Sequence, residues 1–163
     1  MFQTSRLYLR KLSVLDAPFV FELMNSPGWL EFIGDRGVDT LEKAEAYIED
    51  RYLKYENGLG NFLVTLSSSA IPIGTCGLYQ RDNLDHPDLG FAFHPDFMGK
   101  GYAFEAASAI MGYATENLQI PKVLAFTLPE NKRSINLLKK LGFKQKGPYR
   151  LPDDSEELLL FSH

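Results

Sequence analysis

One segment restricts the architecture more than any other: Asp88-Leu-Gly-Phe-Ala-Phe-His-Pro-Asp-Phe-Met-Gly-Lys-Gly-Tyr-Ala103. Asp88 to Phe93 reads as a short strand. After His94-Pro95-Asp96 the chain turns through Gly99 and Gly101 and enters an Ala-rich helix at once, expected over 101–118. Glycine permits positive φ and close approach of a ligand to the backbone. The first N–H groups of a helix have no partners within it, and the helix dipole favours negative charge there. The segment therefore reads either as an anion site, with phosphate or pyrophosphate as its natural occupant, or as an ordinary tight turn between strand and helix.

The rest of the chain supplies an α/β frame for this turn. Arg6 to Leu12 alternates polar and apolar residues, the pattern of a strand with one buried face. Ser13 and Asp16 have capping-box spacing, so a helix is expected over 14–25, stopped by Pro27-Gly28. Trp29 to Gly34 is apolar and ambiguous. Asp39 or Thr40 caps a second helix over 41–56. Two runs, 61–67 and 73–80, read as a hairpin, and Arg81 to Pro87 as a polar loop. On the helix of 101–118, Phe104, Ala107, Met111, Ala114 and Leu118 share a face. A strand over 122–128, a helix over 131–141 ending at Gly142, and strands over 143–149 and 157–161 complete the chain, with Pro152-Asp153-Asp154 as the last turn. The order β-α-α-β-β-β-α-β-α-β-β describes a mixed α/β domain of about seven strands and four helices, a single unit over residues 1–163.

Composition closes off other classes. With 45% apolar residues and twelve Phe, the chain can build a core. No window has 18 consecutive apolar residues, and the first residues lack a secretory pattern, so neither a membrane nor export is expected. The single cysteine, Cys76, forms no internal disulfide and reads as a buried small hydrophobe in a cytoplasmic protein. No Cys/His cluster has metal spacing. The net charge of −4 argues against nucleic acid as a partner. That charge is unevenly spread. Lys132, Arg133, Lys139, Lys140, Lys144, Lys146 and Arg150 fall in a stretch with no acidic residue, while the other 143 residues hold ten basic and twenty-one acidic side chains. The stretch reads either as a solvated helix face with an exposed strand or as a local site for a phosphorylated ligand.

Two phosphate loops are excluded. A nucleoside-triphosphate P-loop needs Gly at position 94 and Ser or Thr after Gly99-Lys100, and His94 and Gly101 stand there. A dinucleotide fingerprint needs a third glycine where Phe104 stands. The segment instead resembles the acyl-CoA pyrophosphate loop of the GNAT (Gcn5-related N-acetyltransferase) superfamily, Gln/Arg-x-x-Gly-x-Gly/Ala, which aligns as Met98-Gly-Lys-Gly101-Tyr-Ala103. Asn131-Lys-Arg-Ser134-Ile-Asn-Leu137-Leu-Lys-Lys-Leu141-Gly142-Phe143 resembles that family's Asn-x-x-Ser/Ala-x-x-Leu-x-x-x-Gly-Phe helix. The opening, from Thr4 to Ala17, is similar to the ribosomal-protein N-terminal acetyltransferase branch, the Rim-type enzymes.

The resemblance implies a GNAT fold, splayed where acyl-CoA binds, and an acetyl-CoA-dependent N-acetyltransferase acting directly on a primary amine. By similarity to the Rim-type branch, the acceptor is a protein or peptide N-terminal α-amine. A small amine such as a polyamine, an aminoglycoside or an amino acid, or acyl-CoA binding without turnover, are the alternatives, and a homodimer is compatible. Acetyl-CoA is the co-substrate, with no metal. Backbone groups of Phe91 and Phe93 are implied to hold the pantetheine arm, and Met98, Gly99, Lys100, Gly101, Tyr102 and Ala103 the phosphates, with Asn131 facing the cofactor. Met98 departs from the pattern, since a thioether replaces a donor or charge.

Acetyl transfer to an amine requires a deprotonated amine, a stabilised oxyanion and a protonated leaving thiolate. The tyrosine that supplies the proton in many relatives aligns with Leu138, so the resemblance passes that role, as acid or thiol-orienting group, to Ser134. Asp88 stands where many relatives have Glu and is the expected base, acting through water; Glu105, which equally suits the helix dipole, and a site with no dedicated protein base are the alternatives. Asn131 also reads as a simple helix cap. His94 is expected to orient the turn. Asp82, Asp85 and Asp88 are expected to give the cleft mouth an acidic character that draws in a cationic acceptor.

Overall fold

The computed structural model describes residues 1–54, 57–151 and 156–163. Its centre is an eight-stranded mixed sheet, ordered β1-β2-β3-β4-β5-β6-β8-β7. The strands are β1 (Phe2–Gln3), β2 (Leu7–Lys11), β3 (Gly60–Leu66), β4 (Pro72–Tyr79), β5 (Asp88–Phe93), β6 (Leu124–Thr127), β7 (Lys144–Tyr149) and β8 (Leu158–Ser162). Five helices flank it: α1 (Ala17–Met24), α2 (Pro27–Phe32), α3 (Leu41–Tyr47), α4 (Tyr102–Glu116) and α5 (Lys132–Lys140).

Alternation along the central strands feeds two cores. On β3, Phe62 and Val64 join the cluster built by Ala106, Ala107, Ile110 and Ala114 of α4 with Ile135 and Leu138 of α5. Leu63 between them joins the cluster of Val20, Leu23, Ala44 and Ile48 on the opposite face. Each fully buried aliphatic side chain of this kind contributes about 1.5–3 kcal/mol, and both faces of the sheet are covered. Where β4 passes β3 at Gly60 and Asn61, Gly77 is required: a Cβ there would collide with the Gly60 carbonyl oxygen. The outer strand β7 carries Lys144, Lys146 and Pro148, residues that discourage pairing with another chain.

The structure adds one strand and one helix to the sequence reading. β1 is only two residues long and pairs Phe2 with Leu9. α2 starts at Pro27-Gly28, where the sequence suggests a stop, because Pro27 occupies the first helical turn after Ser26. The first helix is also shorter than expected: Val14–Asp16 form a 3₁₀ turn, and α1 begins at Ala17. α3 ends at Tyr47 and widens into a π turn over Ile48–Tyr52, which buries Tyr52 beside Tyr47. The expected end of that helix at Glu56 and the turn at Pro152-Asp153-Asp154 lie outside the described residues. Phe104 and Leu118 are only partly buried, unlike Ala107, Met111 and Ala114.

Candidate active site

β5 pairs with β4 along its whole length, from Tyr79↔Asp88 to Gly74↔Phe93. Toward β6, a parallel neighbour, it is registered at one position, Asp88↔Leu124, where the Leu124 N–H donates to the Pro87 carbonyl at 2.9 Å. Beyond that pair the two strands diverge. The gap opens into a cleft of about 2440 Å³ that continues past α2 and α3, and its lining includes Gly90 to Phe93, Ala125 to Leu128, residues of the loop before α4, and Asn131 and Ser134 of the α5 entrance.

The loop is built as an anion cradle. Gly99 and Gly101 take φ of +75° and +82°, conformations that L side chains rarely adopt. Around a Cβ placed on Gly99 nothing lies within 4 Å, so the backbone there is open to a ligand. The first helical bond of α4 runs from the Glu105 N–H to the Gly101 carbonyl at 3.1 Å, which leaves the N–H groups of Tyr102, Ala103 and Phe104 without partners in the helix.

The back of the loop is braced from the N-terminal segment. Arg6 donates from Nη1 to the Lys100 carbonyl at 3.0 Å and from Nε to Glu105 Oε2 at 2.7 Å, with its guanidinium 4.6 Å over the Tyr102 ring. Thr4 Oγ1 and the Arg6 N–H donate to Glu105 Oε1 at 2.6 and 2.9 Å. Burial would raise the Glu105 pKa, but these hydrogen bonds and the Arg6 charge outweigh it and hold the carboxyl below its ordinary range. Glu105 is a brace and is not among the residues lining the cleft. Lys100 is likewise turned away, its Nζ donating to the Asp96 carbonyl at 2.9 Å.

A family model described as an acetyltransferase (GNAT) domain matches residues 6–144. The chain belongs to the GNAT acetyltransferase family. It is 30% identical over 147 residues to an N-acetyltransferase named YnaD and described as uncharacterized, from Bacillus subtilis, covering 90% of this chain and 84% of that one. It is 25% identical over 142 residues to the spermidine N(1)-acetyltransferase of Escherichia coli, covering 85% and 73%. A 59-residue stretch, 36% of this chain and 30% of the other, is 39% identical to the [ribosomal protein uS5]-alanine N-acetyltransferase of Escherichia coli. Among solved structures, a GNAT-family acetyltransferase from Bacillus anthracis shares the fold at TM-score 0.83 and 23% identity, covering 99% and 96% of the two chains. A ribosomal L7/L12 α-N-protein acetyltransferase solved with coenzyme A shares it at TM-score 0.83 and 15% identity, covering 98% and 94%. These relatives include both protein and polyamine acetyltransferases, so family membership carries acetyl-CoA-dependent acetyl transfer in general and leaves the acceptor open.

In this GNAT cleft Asp88 is buried, and Arg81 grips it with Nε to Oδ1 at 2.8 Å and Nη2 to Oδ2 at 3.1 Å. Burial pushes the Asp88 carboxyl upward, the Arg81 guanidinium pulls it back, and the net displacement is up. Asn131 caps α5, its Oδ1 accepting from the Ser134 N–H at 3.1 Å. That engages the backbone of Ser134 and leaves its hydroxyl, at the cleft wall, without a protein partner among the described residues. Leu138, aligned with the family's tyrosine, is a core residue. Phe93 is buried in the core and Phe91 packs against it, so the face they offer a ligand is backbone.

The cleft lining is mixed in charge where the sequence suggests an acidic mouth. Asp82 and Asp88 line it, with Glu31, Asp50 and Glu156, and Asp85 does not, while Arg36, Arg51 and Lys54 line it as well. Its wall is strongly aromatic. Tyr79 lies across Gly90, close enough that a Cβ on Gly90 would sit 2.7 Å from Tyr79 Cε2, and burial together with Tyr52, Cys76 and Asp88 nearby keeps the phenol well above its ordinary range. His94 has a partner the sequence did not reveal, Glu22 of α1 at 3.1 Å, and its Nδ1 accepts from the Asp96 N–H at 3.3 Å. No pattern along the chain marks Arg81 or Tyr79: the β4–β5 pairing sets Tyr79 beside Asp88, and Arg81 follows in the loop beyond β4.

Proposed function

We propose that the chain transfers acetyl directly from acetyl-CoA to a primary amine bound in this cleft, and that the preferred acceptor is a peptide or protein N-terminal α-amine. The observation that carries the reading is the divergence of β5 from β6 beside a glycine loop of positive φ, with Asp88 on one wall and the unpartnered Ser134 hydroxyl on the other. Acetyl-CoA supplies the activated acetyl group. The loop backbone from Met98 to Ala103 offers N–H groups to its pyrophosphate. Exposed backbone of Phe91 and Phe93 pairs with the pantetheine amides, and Asn131 shapes the same wall.

An α-amino group has a pKa near 8, so it needs only a mild base. Asp88 takes its proton through a water, since both carboxylate oxygens keep a lone pair beside the Arg81 bonds. Ser134 donates to the departing sulfur. Cys76 takes no part, because it is fully buried and burial raises its thiol far above the range where a thiolate forms. A buried single thiol is also compatible with a cytoplasmic setting.

Small polyamines are the second reading, favoured by the 85% of this chain that aligns with the spermidine enzyme. Thiol release from acetyl-CoA, measured against N-terminal peptides, polyamines, aminoglycosides and amino acids, separates the two. Release with peptides alone supports the proposal, and release with a small amine alone overturns the choice of acceptor. Tight acetyl-CoA binding without release on any acceptor overturns the enzyme reading in favour of a binding module.

A further inference from the structure

We propose that Arg133, reaching across from α5, is the pyrophosphate-binding cation of this site, replacing the side chain that the loop itself lacks at Met98. The proposal rests on the acetyl-CoA reading above. Arg133 Nη1 lies 3.3 Å from Met98 Sδ. A thioether is a weak acceptor, and no carboxylate pairs with this guanidinium among the described residues. Its forked donors are therefore held at the rim of the Gly99–Gly101 cradle with their capacity for an anion unspent.

The other cations of the basic stretch are placed differently. Lys132 Nζ donates to the Pro129 carbonyl at 2.7 Å, Arg150 sits 3.8 Å from Glu157, and Lys140, which also lines the cleft, is laid over the Phe104 ring at 4.4 Å. Lys139, Lys144 and Lys146 do not line the cleft. Arg133 also breaks a local rule: it occupies the first turn of α5, where no acidic residue balances it and the helix dipole opposes a cation. A bound anion would remove that conflict, since the guanidinium and the helix end would then both face negative charge. Met98 in turn places its terminal methyl near Gly28 of α2, so the thioether lies between α2 and the Arg133 head.

The test is calorimetric binding of coenzyme A, dephospho-coenzyme A and pantetheine to the full chain, to Arg133→Gln and to the double variant M98R/R133Q. Charge-assisted hydrogen bonds of this kind are worth about tenfold to a hundredfold in affinity. Arg133→Gln is expected to lose that factor for coenzyme A and dephospho-coenzyme A alike, to keep its affinity for pantetheine, and to recover when Arg is placed at 98. Unchanged coenzyme A affinity in Arg133→Gln overturns the proposal. So does a loss confined to coenzyme A, which would assign Arg133 to the 3′-phosphate, or an equal loss for pantetheine, which would mean a disturbed fold. Failure of the unaltered chain to bind coenzyme A would overturn the acetyl-CoA reading itself.

Discussion

Arg81 Nε and Nη2 meet the two carboxylate oxygens of Asp88 at 2.8 and 3.1 Å, joining a half-exposed guanidinium to an almost wholly buried acid at the point where β5 and β6 separate. The pair fixes the orientation of the proposed base and moderates its proton affinity, because burial raises the Asp88 pKa and Arg81 lowers it. Arg81→Gln removes the moderating charge, so the Asp88 pKa rises further. The acid limb of kcat/KM against pH is then expected to move to higher pH, whereas Asp88→Asn is expected to remove that limb. An unmoved limb in both variants would take Asp88 out of proton transfer.

The same pair predicts a stability effect of definite sign. Leaving a buried carboxylate without its partner costs about 2–3 kcal/mol, the usual penalty reduced for the exposure of Arg81. A carboxyl whose folded pKa is raised binds its proton more readily folded than unfolded, so the deficit of Arg81→Gln is expected to be largest at neutral pH. It should shrink as pH falls through the raised Asp88 pKa. Urea unfolding of both proteins at neutral and mildly acidic pH measures this.

Ser134→Ala separates chemistry from folding. The cap of α5 uses the Ser134 N–H and not its hydroxyl, so the variant is expected to melt within about 1 °C of the parent. Its kcat is expected to fall roughly a hundredfold with little change in the KM for acetyl-CoA. Full activity would remove Ser134 from the proton path.

How much of this could be read beforehand depended on how local each feature is. β5, the glycine loop and α4 were legible almost to the residue, because alternation, positive-φ glycines and helical periodicity are all written in short windows. Pro27 misled because proline both stops a preceding helix and suits the first turn of a new one, and only tertiary packing of Trp29 decides between them. The splay between β5 and β6 leaves no periodic trace and entered only through family resemblance. Arg81–Asp88, Arg133–Met98 and Glu105 with Thr4 and Arg6 join residues from separate elements, and no pattern along the chain could assign them.

Glu105→Gln tests the brace behind the loop. The Glu105 pKa is held below its ordinary value, so its contribution to stability is present above the unfolded pKa and is lost as pH falls through the folded one. The variant is expected to lose about 1–2 kcal/mol at neutral pH and less at acid pH. Its kcat per folded molecule should stay within about threefold of the parent at saturating substrate. A loss of kcat like that expected of Asp88→Asn would restore Glu105 as a base.

Gly77→Ala probes the frame itself. The added methyl would collide with the Gly60 carbonyl oxygen and meet Asn61 Cα at 2.7 Å, contacts with backbone that cannot swing aside. A loss of about 3 kcal/mol or more, or failure to accumulate folded protein, is expected. Parent-like thermal stability would contradict the close approach of β3 to β4.

In the proposed reaction acetyl passes straight from acetyl-CoA to the amine while both occupy the cleft. Initial rates measured over a grid of acetyl-CoA and acceptor concentrations test this. Reciprocal plots that intersect, as a complex holding both substrates requires, are the predicted result. Parallel lines, the signature of an acetylated enzyme formed before the amine arrives, would contradict it.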